Sequence, residues 1–444
     1  MRRRAFLATA AAASAAPLLH ACRTAGGPTP AAPAGAAANL GDWEQVRRQF
    51  PLDYSWIHMA QFLMTSHPAP VRAAIEAHRR GLDENPAVYI EENVGRCEAA
   101  TREAAAAYMG CRPDDLAMTD STTMGLGLFY GGLKLKPGQE ILSTRHDHPA
   151  ATMRSLDLAA SRTGAAVRRI ALYQRPSGAD PDQMAEALAR EIRPTTRVVA
   201  VTWVHSGTGV RTPIARFAQA VALANRGRAE QDRAILCVDG VHGFGVENET
   251  MASLGCDMFA AGSHKWIFGP RGTGVLCANP AAWSLSSPTI PSFDRMWRRD
   301  PDMPAAASMT PGGFHSLEHR WALAEAFRFY QAIGKARVAR RIHELNDQCK
   351  QGLAKIPRVT VHTPLSSDLS AGIVCFEVDG VSPETVVERL HQRKVIASVT
   401  PRGYEMHLAR LSPSLLTSPA EISCSRKPIP TCWPHRKTCR RNNA

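Results

Sequence analysis

Between about residue 68 and residue 300 the apolar positions switch repeatedly between two periods. Helical spacing runs through 68–82 (PAPVRAAIEAHRRGL) and 95–110 (GRCEAATREAAAAYMG). A short strand, DLAMTD, then leads into the helical pattern STTMGLGLFYGGL. EILSTRH, AVRRIALY, RVVAVTWVH, AILCVDG, MFAAGSH and TGVLCA follow as short, apolar, β-rich runs. Helical stretches such as PDQMAEALAREI and PIARFAQAVALANRG separate most of them. Strands buried on both faces and alternating with helices predict an α/β fold, a mostly parallel, doubly wound sheet. After about residue 300 the rhythm changes. Two long helical patterns, 317–334 and 336–355, precede the strands RVTVHT and GIVCFEV, the helix ETVVERLHQR, and the strands KVIASVT and HLARLS. The expected organisation is a large domain over 46–300 and a smaller α+β domain over 301–422. No internal repeat is visible.

Composition alters this picture only at the ends. The 444 residues carry a formal charge of +13, yet residues 1–41 hold four arginines and no acid. Residues 423–444 hold six basic residues and no acid, so the body carries only +3 and calls for no polyanionic partner. Arg2–Arg4, Phe6, Leu7 and the Ala/Leu-rich run after them have the layout of an export signal over 1–27, of the twin-arginine kind. The expected location is the bacterial periplasm or cell envelope, reached through the twin-arginine export machinery. Leu19-His20-Ala21-Cys22 has the form of a lipoprotein cleavage box, with Cys22 as lipid acceptor. Residues 28–45 read as a flexible linker. The tail from Ser423, with three prolines and three cysteines, has no helical period. It is expected to be foreign to the fold, as a shifted reading frame would make it, and to cut short the helix begun by SPAEI. The body's seven cysteines form no C-x-x-C pair, which removes spacing support for zinc or thioredoxin-like chemistry.

Three pieces of the body carry candidate chemistry. Lys265, in Gly262-Ser263-His264-Lys265-Trp266, follows a fully apolar strand. A lysine placed near a core is out of its usual surroundings, and a desolvated amine suits attack on a carbonyl. Asp239 ends the apolar strand AILCVDG, with His242 three residues on. Strand carboxyl ends are where open α/β sheets bind ligands, and an aspartate there suits a protonated pyridine nitrogen. Ser121-Thr122-Thr123 opens a helix, where hydroxyls and free N–H groups suit a phosphate. Taken singly, Ser121 is equally an N-cap, and Asp239 a turn residue.

In this order and spacing, the three pieces resemble the class V aminotransferase group of pyridoxal-phosphate enzymes, over about residues 50–422. TDSTTMGL, HDHPA, WVHSGTG and TPGGFHSLEHRWALAEA are most similar to its isopenicillin N epimerase-like branch. The resemblance implies a fold-type-I enzyme in which Lys265 binds the cofactor and works as acid and base at the substrate α-carbon. Asp239 would pair with the ring nitrogen and His242 with the ring oxygen. The S-T-T start, chiefly Thr122 and Thr123, with Ser263 and His264, would hold the phosphate. Either His146 or His148 fits the residue stacked on the ring, and the count to the next helix favours His148. Ser206 stands at a polar ring contact where many members have Asn. Arg410, in HLARLSPS, matches the arginine that binds an amino-acid carboxylate. A homodimer is implied, with Thr310–Gly313 lying where the partner chain's phosphate is contacted.

Desulfurases of the group carry a nucleophilic cysteine on a loop before that arginine. Here residues 393–402 read RKVIASVTPR, without one. Epimerisation or racemisation, transamination and β-elimination (C–S lyase chemistry) therefore stay open. Two further readings compete: a metal-dependent hydrolase using His146, His148, His205, Asp239 and His242, and a non-catalytic relic of the fold.

Overall fold

The computed structural model describes residues 39–293 and 303–426. The export signal, Cys22, most of the linker and the tail beyond Arg426 lie outside the described residues. Seven strands form the main sheet: β1 (Leu116–Thr119), β2 (Glu140–Thr144), β3 (Ala166–Ile170), β4 (Thr196–Thr202), β5 (Ile235–Asp239), β6 (Met258–Gly262) and β7 (Gly274–Ala278). Their order is β1-β7-β6-β5-β4-β2-β3. Only β7 runs against its neighbours; the other pairings are parallel. The carboxyl ends of β1, β2, β4, β5 and β6 consequently share one edge.

Alternation along each strand builds the two faces. Val199, Val201, Leu236, Val238, Phe259 and Ala261 face one core, which includes Phe217, Phe327 and Tyr330. Val198, Ala200, Ile235, Cys237, Met258 and Ala260 face the other, against Leu126, Phe129 and Leu156. Both faces are covered, so every strand from β4 to β7 is buried throughout and reads as a continuous apolar run.

The smaller sheet is antiparallel, with β8 (Val359–Val361), β9 (Val374–Val378), β10 (Ser398–Val399) and β11 (Ala409–Leu411) in the order β10-β11-β9-β8. Its core gathers Leu345, Leu353, Phe376 and Leu390, and adds Met59 from the chain's early part. Residues 57–58 pair with 395–396, which ties that early segment to the small sheet. The two long helices fall at Leu317–Ile333 and Lys335–Ala354. The first belongs physically to the main core: Leu323 and Phe327 join it, and the helix packs on those spanning Ala69–Glu84 and Pro86–Met109. The change of rhythm near residue 300 thus precedes the change of packing partner. The last helix, Pro419–Arg426, extends past Ser423, with Ile422 fully buried and Glu421 paired to Arg47 at 2.8 Å.

Candidate active site

The shared strand edge collects the candidate residues. Asp239 closes β5, 2% exposed, with Oδ2 accepting from Thr152 Oγ1 at 2.9 Å and Oδ1 from the Val241 N–H at 3.3 Å. Burial raises its pKa, and these donors and the charge of Lys265 oppose the rise. A buried carboxylate held this way favours a cationic partner. His242, in the turn after β5, accepts from Trp266 Nε1 at its Nδ1, so the neutral ring carries its proton on Nε2. Burial pushes its pKa well down, and the charges of Lys265 and Arg410 deepen the drop. The ring is thus a neutral donor.

Beyond β6, the Lys265 side chain makes no hydrogen bond or ion pair with any described residue, although its carbonyl is engaged. Its side chain keeps some exposure, yet desolvation dominates and pushes its pKa down to about 8, with Asp239 opposing and Arg410 assisting. The loop is pinned from the chain's beginning: Thr65 donates through N to the His264 carbonyl and through Oγ1 to the Lys265 carbonyl at 2.9 Å.

At the end of β1, Ser121 is the N-cap of the Thr122–Gly131 helix, accepting from the Met124 N–H at 3.1 Å. Thr122 Oγ1 accepts from the Gly262 N–H at 2.7 Å, which couples the helix start to the end of β6. Thr123 is exposed on the first turn. Ser263 Oγ is buried and has no hydrogen-bond partner among the described residues, while His264 Nδ1 faces the Thr273 carbonyl at 3.3 Å. Buried hydroxyls are normally satisfied, so an orphaned one beside a helix N-terminus marks a place for an acceptor.

The two histidines after β2 separate clearly. His146 stacks on Tyr173 at 4.0 Å and 8°, binds Glu405 Oε2 through Nδ1 at 2.8 Å, and accepts from the Leu172 N–H at Nε2. Both nitrogens and a face are committed, so the expectation that His146 faces a ligand ring gives way to a packing role. His148 turns Nδ1 toward the Ala150 and Ala151 N–H groups. Burial lowers its pKa, and the charges of Lys265 and Arg410 lower it further, which places it among the site residues.

Arg410, on β11, is 3% exposed. It donates to Ser398 Oγ through Nε, to the Ser206 carbonyl through Nη1 at 3.0 Å, and to the Val399 carbonyl through Nη2 at 2.8 Å. Its guanidinium lies 4.4 Å from the centre of the Phe62 ring. Three of five N–H groups are used, which leaves one on each terminal nitrogen. No described acid neutralises it. A buried, unpaired fork of this kind suits a carboxylate ligand.

Several site residues carried no sequence signal: Thr65, Phe62, Thr152 and Tyr404. The Tyr404 hydroxyl shares a hydrogen bond with Ser206 Oγ, and its ring meets the edge of His148 at 5.6 Å. The hydroxyl of Ser206, expected at a ring contact, is thus already engaged. The five groups considered for a metal site are held by other contacts, His146 and His205 both through Tyr173. His205 shares its Nδ1 with the Tyr173 hydroxyl. Among the described residues no three His, Cys, Asp or Glu side chains group as a metal site.

Comparison with known proteins agrees with this geometry. The family model described as aminotransferase class V matches residues 81–409. Isopenicillin N epimerase of Streptomyces clavuligerus is 27% identical over 396 residues, covering 86% of this chain and 96% of that protein. A probable cysteine desulfurase of Vibrio cholerae is 26% identical over 309 residues, covering 66% of this chain and 70% of that protein. Among solved structures, the complex of the cystine C–S lyase C-DES with its product cysteine persulfide shares the fold. Its TM-score is 0.75 at 22% identity, over 85% of this chain and 97% of that one. The chain therefore belongs to the class V aminotransferase family, as a pyridoxal-phosphate-dependent enzyme of the α/β, fold-type-I architecture.

Proposed function

We propose that the protein moves a proton at the α-carbon of an amino acid and so epimerises or racemises it. The residues present fit pyridoxal phosphate. Asp239 would meet the ring nitrogen, His242 Nε2 the ring oxygen, and His148 the ring face. The orphaned Ser263 hydroxyl and the Thr122–Gly131 helix start would receive the phosphate, and Lys265 the aldehyde. When bound, the cofactor supplies an electron sink that acidifies the α-hydrogen. The chain's own residues supply the rest: Arg410 holds the carboxylate, and Lys265, with its depressed pKa, takes the proton.

One observation carries the reading. The buried fork of Arg410 has no described acid to neutralise it and keeps a free N–H on each terminal nitrogen, and its charge is among the causes that depress the Lys265 amine. Persulfide chemistry is disfavoured, because the loop before β11 carries Tyr404 and Glu405 and no cysteine. The nearest described thiol, Cys375, lies fully buried in β9, and burial pushes its pKa up to about 12. The curated relative named isopenicillin N epimerase, aligned along almost its whole length, supports the same reading.

Incubating holoenzyme with candidate amino acids in deuterated water is the test. Deuterium at the α-carbon with inversion and no keto acid is the expected result. Keto acid formed only with an amino acceptor would overturn it in favour of transamination. Keto acid with released thiol would favour the C–S lyase reaction.

The same proposal extends to assembly and location. Leu63, Met64 and Phe314 are large apolar side chains more than half exposed near the site, as an interface between two copies would require. Residues 1–27 are proposed to direct export to the envelope. Sedimentation and cell fractionation test the two claims.

A further inference from the structure

We propose that Tyr404 is the second proton carrier of this site, working on the side of the α-carbon opposite Lys265. The inference rests on the epimerase reading, because inversion needs a proton removed from one face and another delivered to the other.

Position is the first argument. Lys265 follows β6, Asp239 ends β5, and Ser206 follows β4, with β5 lying between the other two strands. Tyr404 is fastened to the β4 side through its hydrogen bond with Ser206 Oγ, and its ring lies against Gly207. A Cβ on Gly207 would come within 2.7 Å of Tyr404 Cδ1, so only glycine admits the ring there. The strand that leads to Lys265 and the strand that leads to Ser206, with the phenol bonded to it, therefore flank the strand ending in the aspartate expected beneath the ring nitrogen. Ser206 also places the phenol next to the carboxylate fork: its carbonyl accepts from Arg410 Nη1 at 3.0 Å, while its hydroxyl meets Tyr404. With a substrate carboxylate on that fork, the α-carbon would lie beside the phenol and, under this proposal, between it and Lys265 Nζ.

The loop is preorganised. Glu405 binds His146 at 2.8 Å. Gly403, with φ of +100°, lies against Pro149. Thr400 Oγ1 donates to the Met406 carbonyl and accepts from the Leu408 N–H. Chemistry is the third argument. Burial raises the phenol's pKa to about 12, so it holds its proton at neutral pH. The other titratable site groups have different work: Asp239 and His242 toward the ring edge, His148 toward its face, and Arg410 toward the carboxylate.

The step balances. Lys265 Nζ takes the α-proton as a new N–H bond, and Tyr404 O–H gives its proton to the other face of the same carbon. The phenolate left on Tyr404 is held by the Ser206 hydroxyl and regains a proton from water. Lys265 returns its own to water, and the reverse reaction exchanges the roles.

The test compares Tyr404→Phe with wild-type holoenzyme in deuterated water. Inversion should fall by about 10²-fold or more. Deuterium should still enter recovered substrate of unchanged configuration through Lys265, and only for the enantiomer whose α-hydrogen faces that lysine. The visible absorption band and the binding of a non-reacting carboxylate analogue should stay unchanged. Ser206→Ala, which keeps the phenol but loosens it, should fall between the two. Inversion by Tyr404→Phe at the wild-type rate would overturn the proposal. Equal loss of inversion and exchange would also overturn it, as the sign of a structural role. If wild-type enzyme shows no inversion at all, the epimerase reading fails first.

Discussion

Each functional side chain is set by what surrounds it. Lys265 is useful because its amine is poorly solvated, and that has a measurable consequence. Only the free amine attacks the cofactor aldehyde, so reconstitution of apoprotein should accelerate as pH rises through about 8 and then level off. Stopped-flow absorbance would follow it, and Lys265→Ala should abolish the band. Arg410 is a planar fork in a buried setting, where lysine is a poor substitute. Arg410→Lys should raise KM at least tenfold with a smaller effect on kcat, as steady-state kinetics on a converted amino acid would record. Lys265 and Asp239 stood out in the sequence, because a charge beside an apolar strand is unusual wherever the strand packs, whereas Arg410 was marked only by the family resemblance. His146 and His148 were only weakly separated there, by the count to the next helix, which favours His148. Both follow the same strand two residues apart, and Glu405, which engages His146, lies 259 positions away.

At the scale of elements, strand ends and helix starts position the chemistry. Ser121 caps the Thr122–Gly131 helix, and Ser121→Ala should lower stability by about 1 kcal/mol in denaturant unfolding. It should also weaken cofactor retention on dialysis, since the same turn faces Gly262 and Ser263. The 400–408 loop is the element with the least sequence signal. It has no period, and its order comes from pieces it meets: His146, Pro149, Ser206 and Gly207. Gly207→Ala should push Tyr404 aside and slow turnover while leaving the visible band in place. The strands from β4 to β7, by contrast, were legible because burial on both faces writes itself as an unbroken apolar run.

For the whole molecule, the two sheets share helices and early chain segments. The Leu317–Ile333 helix follows the change of rhythm near residue 300, yet it fills the core under the main sheet. Phe327→Ala should therefore cost about 3–5 kcal/mol of global stability and disturb the cofactor-binding half, not only the small sheet. Calorimetry together with cofactor absorbance would register both. By itself the sequence determined the α/β class, the strands and helices, the family resemblance and the residues that follow the strands. Those depend on local periodicity and on short motifs, which are properties of neighbouring positions. Tertiary structure decided how differently His146 and His148 are held, which early residues brace Lys265, and that Tyr404 meets Ser206 and Gly207. Those depend on contacts between distant segments, and only packing brings such segments together.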